Sequence, residues 1–117
     1  MPGYDKHTPP TDNGILKDGK GYLSEGGIRE PFIFRWPARI PAGKIIDTPI
    51  ISHDLLPTYA EILNLTVQHT DGASLLPLLT TSGKLAERSL YWHHPHYSPQ
   101  RGRPQAAIRQ GDFKLVY

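Results

Sequence analysis

Cysteine is absent from the chain, which excludes a disulfide framework, a thiolate metal site and a thiol nucleophile. No apolar run comes near the roughly 20 residues that a membrane-spanning helix needs. The amino-terminal MPGYDKHTPP likewise has no apolar stretch of the kind that a signal peptide carries. Charge of one sign is also scarce. Thirteen Lys and Arg stand against 11 Asp and Glu, a net +2, which is too balanced for a nucleic-acid footprint. Apolar residues make up 38% and charged residues 21% of the 117 positions, both low for a globular domain. Pro (12) and Gly (11) are abundant instead, at about a fifth of the chain where ~12% is ordinary. Helix interiors reject both, so a helical bundle is excluded. The composition implies one loop-rich domain over a thin core. Short apolar runs such as PFIFRWP and ISHDLLPTYAEILNL argue against disorder throughout.

Residues 1–21 read as loop, punctuated by Pro2, Gly3, Pro9, Pro10, Gly14, Gly19 and Gly21. In residues 31–37, Phe32, Phe34 and Trp36 alternate with Ile33 and Arg35 between prolines, the pattern of a strand. Residues 48–52 read as a short extended segment. Leu55, Leu56, Tyr59, Ile62 and Leu63 follow helical spacing, which predicts a helix over 53–64. Ser52 or Asp54 would cap it, Pro57 would sit in its first turn and Asn64 would close it. A shorter helix is expected over 74–79, then a linker through TTSGKLAER. Strands are expected at 89–92, 105–109 and 112–117, with Gln110–Gly111 as the hairpin turn between the last two. A chain that opens in loop and stops within a strand reads as cut at both ends.

Two stretches can carry chemistry. The first is GKGYLSEGGIREP, residues 19–31, where Lys20 is flanked by two glycines. Glycines let the backbone approach closely, and an ammonium set between them offers a point charge to an anion. The plainer reading is a surface turn with a solvated lysine. The spacing excludes a Walker-A phosphate loop. The second is Tyr91-Trp92-His93-His94-Pro95-His96-Tyr97. In an extended chain His94 and His96 share a face and His93 takes the other. No Cys is present, and no acidic residue lies between Tyr91 and Arg109 to complete a tetrahedral metal set. The plainer reading is a packed strand end with surface histidines. His53, Arg29 and Glu30 read as structural polar residues. Arg101, Arg103 and Arg109 form a basic group that could face an anionic glycan or simply be solvated.

Taken in order, GKGYLSEGGIREPFIFRWPARIPAG, DTPIISHDLLPTYAEILNL and DGASLLPLL closely resemble the C-terminal half of the arylsulfatase-type, formylglycine-dependent sulfatases, over roughly residues 12–117. The resemblance implies an α/β fold, part of an alkaline-phosphatase-like architecture. The strand at 32–36 and the helix at 54–63 would belong to its large mixed sheet, and the segments from 89 onward to a small C-terminal antiparallel sheet. On that basis residues 1–80 would be the C-terminal part of the catalytic domain and 81–117 the start of the small subdomain. The implied chemistry is sulfate-ester hydrolysis by a hydrated formylglycine, with a divalent cation, usually calcium, polarising the sulfate oxygens.

The formylglycine signature, Cys or Ser followed by x-Pro-x-Arg, is not in this sequence, so no catalytic nucleophile is expected in the chain. Lys20 matches the sulfate-binding lysine of the GKG motif. His94 and His96 would lie near the mouth of the site and contact the leaving group, with the flanking aromatics stacking on a sugar ring. Asp12 and Asn13 invite comparison with the family's Asp-Asn metal pair. However, HTPPT precedes them instead of an apolar strand, and the resemblance places the true pair upstream of residue 1. The expected partners are a sulfate ester, sulfated carbohydrate among the candidates, and the N-terminal sulfatase part. Neither nucleic acid nor a membrane span is expected, and family habit implies a periplasmic or secreted setting. Functions of another class remain open: a non-catalytic module that binds sugar or metal through the histidine stretch, or a truncated product without function.

Overall fold

The computed structural model describes residues 12–81, 83–99 and 102–117, and these form two compact units. One runs through Pro31 and is completed by Arg88–Tyr117; the other is Phe32–Glu87. The architecture is mixed α/β, with a three-stranded antiparallel sheet and a few short helices. No helix of the described residues is long and apolar enough to cross a membrane.

The sheet lies in the first unit, with strands β1 (Ser89–His94), β2 (Gln105–Gln110) and β3 (Phe113–Val116) in that spatial order. All three were expected near these positions. The tight turn falls one residue later than expected: Gln110 pairs with Phe113, so the loop is Gly111–Asp112. Register places Leu90, Trp92 and His94 on one face, beside Gln105, Ala107 and Arg109 of β2 and Lys114 and Val116 of β3. Leu90 and Ala107 are buried there. A single helical turn, α1 (Glu25–Ile28), precedes the sheet in sequence. Its two glycines are poor helix formers, so nothing local announces it.

The second unit is built on two helices. Helix α2 (Leu55–Ile62) follows a 3₁₀ turn at Ser52–Asp54 and carries Pro57 in its first turn, where a missing N–H costs nothing. Its end is a Schellman closure. Asn64 adopts a left-handed φ of 54°, Asn64 N donates to Glu61 O (3.1 Å) and Leu65 N donates to Ala60 O (2.8 Å). Capping at the other end differs from expectation. Neither Ser52 nor Asp54 caps α2 through its side chain. The fully buried Asp54 carboxylate instead accepts from Ile51 N (3.0 Å) and from Ala73 N (2.9 Å), 19 residues away. Thr58 extends this staple, donating to Asp54 O (2.5 Å) and accepting from Leu75 N (2.8 Å).

Helix α3 (Leu76–Thr80) follows, with Pro77 in its first turn as expected. Leu75, Leu78 and Leu79 form the core of this unit, against which Phe34, Ile40, Ile46, Ile50 and Leu85 pack. Lys44 Nζ donates to the carbonyls of Leu79 and Thr81, satisfying the open end of α3. The strand expected at 31–37 is not a ladder strand in the structure. Its alternation survives only as burial: Phe34 and Trp36 are half-buried, while Ile33 and Arg35 are exposed. Phe32 sits edge-on to Phe34, with centroids 4.8 Å apart. A ladder needs a neighbouring strand, and among the described residues the three strands of the small sheet pair only with one another. Of the expected large-sheet part the helix is present as α2, while residues 32–36 pair with no strand among the described residues.

Candidate functional site

Residues 13–27 wind into a compact loop whose crown is the turn Gly19-Lys20-Gly21-Tyr22, closed by Tyr22 N donating to Gly19 O at 3.2 Å. Beneath it, Gly26 N donates to Lys17 O (2.8 Å) and Ser24 Oγ donates to the Asp18 carboxylate (2.7 Å). The EGG glycines are needed because backbone lies against backbone here. A Cβ at Gly26 would stand 2.2 Å from Asp18 O, and one at Gly27 would stand 2.0 Å from Tyr22 O. The glycines on either side of the motif thus fold it back on itself, and Lys20 is carried at the tip. Its side chain is exposed, and among the described residues its ammonium makes no ion pair or hydrogen bond.

Contacts to the sheet and to the segment leading into β2 fasten this loop. Leu23 N donates to Gln105 Oε1 at 3.0 Å. Glu25 takes a hydrogen bond from Lys114 Nζ at 2.8 Å and lies 3.6 Å from the Arg109 guanidinium. Gly102 closes on Gly21 so tightly that a Cβ there would stand 2.1 Å from Gly21 O. Arg109 and Lys114 are register partners, an arrangement that two like charges disfavour, and Glu25 compensates both. The hydrogen bond from Lys114 is the main cause of a Glu25 pKa below the ordinary carboxylate value, with the positive charges of Lys114, Arg109 and Arg29 adding to it against some desolvation. Lys114 also lies over the Trp92 ring, 5.6 Å from its centroid. Arg109 is therefore an internal partner of Glu25 and not a free member of a basic face. Arg103 is exposed, and Arg101 lies outside the described residues.

His94 ends β1 directly opposite Gln105, the residue that holds Leu23. The lysine turn and the histidine stretch are therefore both anchored at the same end of the sheet. The loop after the histidines is pinned by Ser98 N donating to Gly102 O (2.9 Å) and Gly102 N donating to Ser98 Oγ (3.0 Å), beside Gly21. The His94 and His96 rings approach edge-to-face at 4.7 Å, although His96 lies beyond the ladder. His93 is exposed on the opposite face. Among the described residues, the His94 Nε2 atom is buried without a hydrogen-bond partner.

Asp12 and Asn13 are engaged within the loop. Asp12 Oδ1 accepts from Gly14 N (2.8 Å), and Asn13 Nδ2 donates to Asp18 O (2.9 Å) and Gly26 O (3.2 Å). No group of three or more His, Cys, Asp or Glu side chains able to hold a metal occurs among the described residues.

A sequence reading could find Lys20, because glycines flank it. It could not find Glu25 or Asn13 as holders of the lysine turn, since their partners lie 89 and up to 13 residues away.

Comparison with known proteins identifies the family. The family described as N-sulphoglucosamine sulphohydrolase, C-terminal, matches residues 17–117. Arylsulfatase A of Homo sapiens is 38% identical over 107 residues, which are 90% of this chain and 20% of that protein. A sulfatase of Formosa agariphila is 35% identical over 121 residues, 92% of this chain and 22% of that protein. Human steryl-sulfatase is 39% identical over 85 residues, 70% of this chain and 15% of that protein. The chain thus spans about a fifth or less of the length of these relatives. The match begins at Lys17, takes in the whole lysine turn and runs through all three strands to Tyr117, and on it the chain belongs to the sulfatases, in the C-terminal N-sulphoglucosamine sulphohydrolase family.

Proposed function

We propose that this chain supplies the sulfate-binding lysine and part of the outer substrate pocket of a sulfatase, which hydrolyses sulfate esters, sulfated glycans among them. The observation that carries the reading is the placement of Lys20: an ammonium with no partner among the described residues, at the tip of a glycine-braced turn, toward the His94 end of the sheet. Its role is electrostatic, offsetting charge that builds on a sulfate oxygen as the ester bond breaks. His94 and His96 stand on the leaving-group side, where an imidazole can donate to a sugar hydroxyl. Calcium and the formylglycine nucleophile would come from the rest of such an enzyme, because this sequence carries no Cys- or Ser-x-Pro-x-Arg signature and HTPPT, not an apolar strand, precedes its Asp12–Asn13 pair. The chain alone is expected to show no sulfatase turnover above blank.

The strength of the site can be bounded. A dianion 4 Å from one exposed ammonium gains about 2 kcal/mol in water, which corresponds to a Kd in the range of tens of millimolar. Sulfate titrated into the chain at constant ionic strength should therefore shift the Gly19 and Gly21 amide resonances over that range. Lys20→Ala should abolish the shift, and an unchanged titration in that variant would overturn the reading. A second reading, a metal-binding module, draws on the 4.7 Å approach of His94 and His96. It requires zinc or nickel binding that depends on both histidines and is indifferent to Lys20→Ala.

A further inference from the structure

The loop that carries Lys20 contains a conformation it cannot hold by local preference. Asp18, two residues before the lysine, has φ of 60°, a left-handed setting that costs a non-glycine residue ~1 kcal/mol or more. The Asp18 carbonyl produced by this turn points at Asn13. The Asn13 amide nitrogen donates to it at 2.9 Å and to Gly26 O at 3.2 Å. Both partners are carbonyl oxygens, so only the NH₂ side of the amide can face them. Those two carbonyls flank the lysine turn in sequence, one before it and one after it. The same nitrogen would lie 3.2 Å from a Cβ at Gly19, so it sits directly under the crown.

We infer that Asn13 is a positioning residue for sulfate binding: its amide ties the entry of the Lys20 turn to its exit and so sets where the ammonium stands. This rests on the reading of Lys20 as the sulfate contact. A residue whose sequence setting only invites comparison with a metal ligand is here assigned to anion binding through its donor atom. Ser24 to Asp18 and Gly26 to Lys17 hold the outer part of the same loop, so removing Asn13 leaves the loop closed but its crown unbraced.

The test is Asn13→Asp in the full chain, followed by amide NMR during sulfate titration at constant ionic strength. Intact β1–β3 resonances identify folded molecules, and the Gly21 shift reports the Kd of those molecules alone, which a merely structural role would leave unchanged. The expected result at pH 7 is about fivefold weaker binding, because a carboxylate has no donor for the two carbonyls. Protonating that carboxylate returns one donor, so the ratio of variant to wild-type Kd should fall back toward one between pH 7 and pH 4. Asp12, Lys17, Asp18, Lys20, Glu25, His94 and His96 are present in both proteins, so the ratio removes the pH dependence that the two proteins share. Asn13→Ser, which retains one short donor and adds no charge beside the sulfate, is measured alongside with the same expected weakening at pH 7, so that loss of the donor is separated from repulsion by a new carboxylate; it also serves if the sheet resonances are lost in Asn13→Asp. Wild-type affinity in a folded Asn13 variant, with binding lost in Lys20→Ala, would overturn the positioning role and leave the lysine reading standing. Undiminished binding in Lys20→Ala would overturn both.

Discussion

Thr58→Val tests the buried staple that joins α2 to the segment leading into α3. Thr58 is fully buried, and its hydroxyl both donates to Asp54 O at 2.5 Å and accepts from Leu75 N at 2.8 Å. Valine keeps the shape and adds no strain, so the change isolates the hydrogen bonds. Asp54 O loses one of its donors, a modest effect for a carbonyl at a helix start. The Leu75 N–H, on a residue only 1% exposed, is left with no partner. An orphaned buried donor costs about 1–3 kcal/mol. At 4–8 °C per kcal/mol for a small domain, a loss of about 2 kcal/mol lowers the midpoint of the second unit by roughly 8–16 °C. The two tryptophans make this measurable, since Trp36 lies in that unit and Trp92 in the other. Thermal unfolding followed by Trp36 fluorescence in a Trp92→Phe background reports the staple directly. Thr58→Ser, which keeps the hydroxyl and loses a methyl group, should fall by less than half as much. A Thr58→Val midpoint within about 2 °C of the parent, or equal losses for Val and Ser, would refute the assignment.

Glu25 makes the first unit pH-dependent in a definite direction. Its folded pKa lies below the ordinary value near 4.5, chiefly through the Lys114 hydrogen bond. The stability it confers is therefore present above that ordinary value and disappears as pH falls through the lowered folded value. Hydrogen exchange of the β2 and β3 amides should show wild type more protected than Glu25→Gln at pH 7, by ~1 kcal/mol or less for partly exposed partners. The two should converge once the pH is below the folded value, and a difference that persisted there would count against the ion pair. Gly26→Ala would bring a Cβ to 2.2 Å from Asp18 O, a backbone clash that only rearrangement of the loop relieves. The Gly19–Tyr22 amides should lose their dispersion in this variant, and an unperturbed spectrum would contradict the packing of the EGG turn.

Much of the second unit was legible because its signals are local. Apolar spacing, Pro57 in a first turn and an Asn able to adopt left-handed φ are all properties of neighbouring residues, and they place α2 to within two residues at either end. The same holds for β1 to β3 and their hairpin, although the turn slipped by one residue because Gly111, not Gln110, takes the first loop position. The short PFIFRWP alternation carried real burial information about Phe34 and Trp36 but misled about pairing. Alternation records which side is covered, whereas a strand also requires an adjacent backbone to bond with, and a single segment says nothing about that.

The candidate site divides along the same line. By itself the sequence determined that Lys20 would stand between glycines, that no thiol chemistry was available, and that its ordered motifs were those of a sulfatase. Tertiary structure alone decided that Asp54 and Thr58, besides their bonds at the start of α2, hold the amides of residues 73 and 75. It also decided that Glu25 neutralises two cations facing each other across β2 and β3, and that the Asn13 amide braces the lysine turn. The physical reason is common to all three. A buried or crowded polar group takes whatever partner the fold brings within about 3 Å, and that partner is chosen by distance in space, which sequence separation does not encode.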